Sequence, residues 1–88
     1  STELVGVTFD LPQPVNTSNY VAGTNFTIVN TPGGTVMRFG PINIPGNSTI
    51  TGSFQTTQDT AGSYDWSSDV FVNGIDSGID VNLTTTQV

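Results

Sequence analysis

Apolar residues recur at every second position along most of this chain, and glycine, proline or asparagine breaks each run before it reaches helical length. Val5, Val7, Phe9 and Leu11 alternate with Gly6, Thr8 and Asp10. A period of two places one set of side chains on each face of an extended strand, whereas a helix needs a period of 3.6. Alanine is nearly absent and β-branched residues are abundant, which disfavours helix for the same reason that it favours strand. The chain is therefore expected to be all-β.

The punctuation divides it into short strands. The first spans 3–11 and is stopped by Pro12 and Pro14, because proline cannot donate to a ladder. Residues 13–24 read as a loop or a weak edge strand. A second strand opens at Phe26 and Ile28 and ends in Asn30-Thr31-Pro32-Gly33-Gly34, a dense turn signal. A third runs from Val36 to Ile44, bent or broken at Gly40-Pro41, and Pro45-Gly46-Asn47 turns it back. Ile50, Gly52 and Phe54 then alternate with Thr49, Thr51 and Ser53, and 56–63 is a polar connection. Tyr64, Trp66, Ser68, Val70 and Val72 share one face of a further strand, with Asp65, Ser67 and Asp69 on the other. Asn73-Gly74 is the preferred two-residue hairpin turn. Ile79, Val81 and Leu83 face inward on a last strand. Six to seven short strands with turns every 8–12 residues predict one antiparallel β-sandwich over 1–88. The echo of Gly74-Ile75-Asp76 in Gly78-Ile79-Asp80 reads as two turn edges, not a repeat.

Charge excludes several functions. Arg38 is the only cation among 88 residues; seven acids leave a net charge of -6, and there is no His, Lys or Cys. Bases and nucleophiles in catalysis are drawn largely from His, Cys and Lys, so an enzyme is not expected and no catalytic residue is assigned. One arginine cannot neutralise a phosphate backbone, so no nucleic-acid partner is expected. No apolar run approaches the ~20 residues that span a bilayer as helix, so no membrane insertion is expected. No basic segment precedes an apolar one, so the chain reads as leaderless. The absence of cysteine says little about compartment.

The stretch from Ile42 to Phe54, with its Pro45-Gly46-Asn47-Ser48 turn, and Ala61-Gly62-Ser63-Tyr64 leading into Val70-Phe71-Val72-Asn73-Gly74, together resemble the immunoglobulin-like modules of phage virion and prokaryotic surface proteins. The resemblance covers roughly 25–83. It implies an immunoglobulin-like antiparallel β-sandwich of six to seven strands. It also implies that Tyr64 is a corner tyrosine whose hydroxyl is tied to nearby backbone. The antibody-type cysteine pair is missing, and Trp66 stands on a later strand than in the family pattern.

Candidate sites are few. Asp76 and Asp80, with Asn73 and Asn82, offer oxygen ligands of the kind calcium takes, but the spacing of a calcium loop is absent, so they read as acids kept for solubility and no metal or cofactor is assigned. Asp65, Ser67 and Asp69 read as a solvated strand face that discourages edge-to-edge pairing. A glycosidase carboxylate pair needs a cleft that a chain this short has little room to build. Four Asn-x-Ser/Thr sequons, at Asn16, Asn25, Asn47 and Asn82, are candidate glycosylation sites. Arg38 either pairs with one of the acids or anchors an interface, where arginine is enriched. Phe71 points outward between inward Val70 and Val72, which suggests partner contact, and Tyr20 and Val21 in the long loop are expected to join it. Trp66 and Tyr64, on the inward face, are expected in the core and not on a sugar-binding surface.

These readings lead to a non-enzymatic structural module on a virion surface or in the extracellular space. The first expectation is a phage virion component, a capsid decoration (cement) or tail-associated protein, stabilised by docking on a lattice. The alternative is a secreted or cell-surface filament or adhesin subunit, glycosylated and exchanging its first strand with a neighbour. In both the partner is protein, the capsid lattice or like subunits, and the chain is a homo-oligomer or assembly-bound.

Overall fold

A computed structural model describes all 88 residues. The chain forms strands β1 (Thr2–Asp10), β2 (Tyr20–Ala22), β3 (Phe26–Thr31), β4 (Gly34–Pro45), β5 (Phe54–Thr56), β6 (Gly62–Trp66), β7 (Ser68–Val72), β8 (Ile75–Asp76) and β9 (Leu83–Gln87), with one 3-10 turn at Thr17–Asn19. Every strand pairing is antiparallel. A five-stranded sheet has the order β3-β4-β1-β7-β8, and two separate ladders, β2-β5 and β6-β9, complete the fold. The ladders lay Tyr20, Phe54, Trp66 and Leu83 against Phe9, Phe26, Ile28 and Met37 of the sheet, so the architecture is all-β and β-sandwich-like.

The core between them is small. Phe9, Leu11, Tyr20, Met37 and Trp66 form its buried cluster, and only Met37 is wholly enclosed. Aromatic edges hold it: Tyr20 meets Trp66 at 5.9 Å and Phe26 meets Phe54 at 5.0 Å between ring centroids, contacts that add to the area they bury. Trp66 lies in the core, as its inward parity predicts, and its Nε1 donates to Thr85 Oγ1 at 3.0 Å.

Several boundaries differ from the expectation for identifiable reasons. The third stretch is a single twelve-residue strand carrying a bulge. Its register shifts between Val5 and Val7 of β1, so Gly40 and Pro41 together face Gly6. Gly40 has φ 71°, and a Cβ there would stand 2.7 Å from the Val5 carbonyl oxygen, so the bulge requires glycine. Residues 49–53 alternate but are not a strand. The Thr51 carbonyl accepts from Asn25 Nδ2 and the Ser53 N–H donates to the Thr24 carbonyl, so this segment is held by the loop before β3. The expected strand from Tyr64 to Val72 breaks at Ser67. β6 belongs to a ladder and β7 to the main sheet, with the Ser67 carbonyl accepting from Asp10 N–H at 2.8 Å. Alternation survives the break because both halves face the same core.

The last strand starts later than its pattern suggests. Ile79 and Val81 are 59% and 41% exposed in the irregular segment before β9, which corrects their inward placement. The Asn73-Gly74 turn is as expected: both residues have positive φ, 53° and 81°, and Val72 pairs with Ile75 across it. Tyr64 Oη donates to the Thr60 carbonyl at 2.6 Å, the backbone tie expected of it. β1 lies between β4 and β7, so the first strand is the centre of the five-stranded sheet.

Candidate functional site

The two expected contact residues that the fold brings together are Phe71 and Arg38. Within the five-stranded sheet, Gly6 of β1 pairs with Phe71 of β7, and Thr8 of β1 pairs with both Arg38 of β4 and Asp69 of β7. These positions alternate with the core-facing Val5, Val7 and Phe9 and therefore lie on the outer face. Leu4, Gly6, Thr8, Arg38, Pro41, Phe71 and Gly74 line a shallow, largely apolar groove there, about 310 Å³ in volume.

Each wall has a local cause. Gly6 supplies no side chain, and its floor position is open: an added Cβ would meet only the Phe39 carbonyl oxygen and Pro41 at 3.6–3.7 Å, ordinary contact distance. The bulge at Gly40 raises Pro41 along one side. The Asn73-Gly74 turn closes the end near Leu4. There the Leu4 N–H donates to Asn73 Oδ1 and Asn73 Nδ2 donates to Glu3 Oε2 at 2.6 Å.

Arg38 gives the groove its single positive charge. Its Nε is shielded from solvent and has no hydrogen-bond partner. The carboxylates of Glu3, Asp59, Asp65 and Asp76 all accept from other donors. Asp69 stands two strands away, across Thr8, a backbone separation of roughly 9.5 Å, and makes no ion pair with Arg38. A guanidinium is a planar fork of N–H donors suited to a carboxylate. An apolar groove with an underused guanidinium suits an acidic side chain flanked by apolar ones.

The other two expected contacts lie elsewhere. Tyr20 is 5% exposed in the core, its hydroxyl accepting from Gln58 Nε2 at 3.1 Å, so it is not part of the outer surface. Its place on β2, the weak edge strand of the two readings of 13–24, pairs it with β5 and draws the ring inward, which corrects its placement among the partner contacts. Val21 is 58% exposed on β2, outside the groove. Leu4, Gly6 and Pro41 went unread in the sequence. Their outward parity was legible, but which strands flank β1 was not.

The four sequons differ in setting. Asn16 Oδ1 accepts from the Ser18 N–H and Oγ while its Nδ2 donates to Asp59, and Asn25 Nδ2 donates to the Thr51 carbonyl at 2.7 Å. Both amides are engaged in holding loops. Asn47, at φ 61°, and Asn82 stand exposed in loops.

A second cleft, about 410 Å³, opens between the two ladders and is lined by Phe9, Phe26, Phe54, Leu83, Thr56 and Thr85 together with Gly52 and Ser53. No family model matches this chain, and neither a curated protein nor a solved structure does.

Proposed function

We propose that this chain is a non-enzymatic structural surface module that docks on protein through the Arg38–Phe71 groove, first of all as a phage virion component of the capsid-decoration or tail-associated kind. The observation that carries the docking reading is Arg38, the chain's one cation, lining an apolar groove on the face of a sheet. A partner carboxylate would find the planar fork of the guanidinium there. The small core supports the same reading, because a short chain with little enclosed volume gains stability by binding.

The test begins with the protein from its natural source. Its intact mass and the particle with which it sediments are measured together. The bare 9.2 kDa chain in a virion fraction supports the decoration reading. Gly6→Val, which fills the groove floor, then lowers occupancy of that particle at least tenfold; unchanged occupancy overturns groove docking.

The second reading is a secreted or cell-surface filament or adhesin subunit. The exposed sequons Asn47 and Asn82 favour it. A heavier, heterogeneous mass with hexose spacing, lost in the Asn47→Gln and Asn82→Gln variants, selects this reading over the first.

A further inference from the structure

Asn73 is the only asparagine of this chain that a glycine follows. Elsewhere a side chain on the next residue crowds the approach of that residue's backbone nitrogen to the asparagine Cγ; glycine has none and turns freely. Both residues are exposed at the tip of the β7–β8 hairpin. Gly74 lies outside both strands, and no loop or turn hydrogen bond holds its N–H. Nothing stands within 4 Å of where its Cβ would be, so water reaches the turn.

The native contacts keep the Asn73 amide from that nitrogen. Its side chain is tied at both ends to β1: Oδ1 accepts from the Leu4 N–H at 3.0 Å, and Nδ2 donates to Glu3 Oε2 at 2.6 Å. The Asn73 N–H adds a third tie, to the Leu4 carbonyl at 2.7 Å. Cγ is thereby held toward β1. Both side-chain ties join exposed groups, and exposed hydrogen bonds at a hairpin tip open locally without global unfolding.

We propose that Asn73 is a site of spontaneous, irreversible deamidation, gated by its ties to Glu3 and Leu4. When the turn opens, the Gly74 nitrogen bonds to Asn73 Cγ. The Cγ–Nδ2 bond breaks, and the Gly74 proton leaves with Nδ2 as ammonia. Water then opens the cyclic imide at one carbonyl or the other, giving aspartate or isoaspartate. Neither product restores the contact. The new carboxylate has no N–H to donate to Glu3 and sets a second negative charge beside it. Isoaspartate also adds a methylene to the backbone of a two-residue turn, against the Val72–Ile75 pairing. The start of β1 is then released from the hairpin, and the end wall of the groove loosens with it. The step needs no partner, so it stands or falls apart from groove docking.

Incubating the purified chain in warm, mildly alkaline buffer tests this. Intact mass and peptide mapping follow the amide-to-acid change. The expected result is conversion at Asn73 before any other asparagine, and faster in urea than in buffer. Glu3→Ala removes one tie and speeds conversion of the folded chain about fivefold. Gly74→Ala, compared in urea where the fold plays no part, slows it about tenfold because its Cβ crowds the approach. Asn73→Asp, which carries the product's charge, unfolds at lower urea than wild type. Conversion elsewhere first, or none at Asn73, overturns the proposal. Equal rates in urea and buffer, or an unchanged rate in Glu3→Ala, overturn the gating. An Asn73→Asp variant as stable as wild type overturns the release of β1.

Discussion

Asn73 and Leu4 hydrogen-bond each other twice: the Leu4 N–H donates to Asn73 Oδ1 at 3.0 Å, and the Asn73 N–H donates to the Leu4 carbonyl at 2.7 Å. One turn residue thereby pins the start of the central strand to the β7–β8 hairpin and sets the end wall of the groove.

Asn73→Gly keeps the positive φ of 53° but removes the side-chain bonds to Leu4 and Glu3. The expected loss is about 1–2 kcal/mol in urea unfolding. Asn73→Ala adds the cost of a left-handed Cβ, about a further 1 kcal/mol. Equal stabilities for the two variants would show that the backbone conformation contributes nothing.

Met37 is the only fully enclosed side chain. Met37→Ala leaves a cavity that costs about 2–5 kcal/mol, a large share of what a domain this small holds. Circular dichroism at 25 °C is expected to show a substantially unfolded population, and a variant that melts like wild type would contradict the packing described.

Two glycines make opposite predictions. A Cβ at Gly52 would stand 2.8 Å from the Phe26 ring and 2.9 Å from the Phe39 ring, so Gly52→Ala is expected to cost about 1–3 kcal/mol by overpacking. Gly6 is extended and its Cβ would meet only ordinary contacts. Gly6→Ala is expected to hold or raise stability by about 0.4–1 kcal/mol. Thermal melts of the pair decide this.

Arg38→Met removes the shielded, unpaired Nε while keeping a long apolar stem. The isolated domain is expected to be as stable as wild type or more so, because an unsatisfied donor is lost, while docking on a carboxylate-bearing partner weakens at least tenfold. A drop of several kcal/mol in the isolated domain would instead reveal an internal partner for Arg38.

Much of the fold was legible along the chain. Alternation at Val5-Val7-Phe9 and at Val70-Val72, and the Asn73-Gly74 turn, are local signals, because a strand's two faces and a turn's positive φ follow from neighbours in sequence. Phe71 and Arg38 stood out for the same local reason: an outward aromatic and a lone cation. Tyr20 was misplaced because whether a loop residue faces inward depends on which strand it pairs with, and Ile79 and Val81 because a regular pattern does not compel a ladder. Residues 49–53 show the same override, since hydrogen bonds to the loop at Thr24 and Asn25 displaced the alternation.

The amino-acid sequence by itself determined that this chain is β-structured, acidic and poor in catalytic side chains, since propensity, period and charge are properties of residues and their near neighbours. Tertiary structure alone decided that β1 sits at the sheet's centre, that Gly6, Pro41, Arg38 and Phe71 from three strands share one groove, and that a cleft parts the second layer. Strand order and register are set by long-range pairing and by packing against a shared core, and no local pattern encodes which strand will lie beside which.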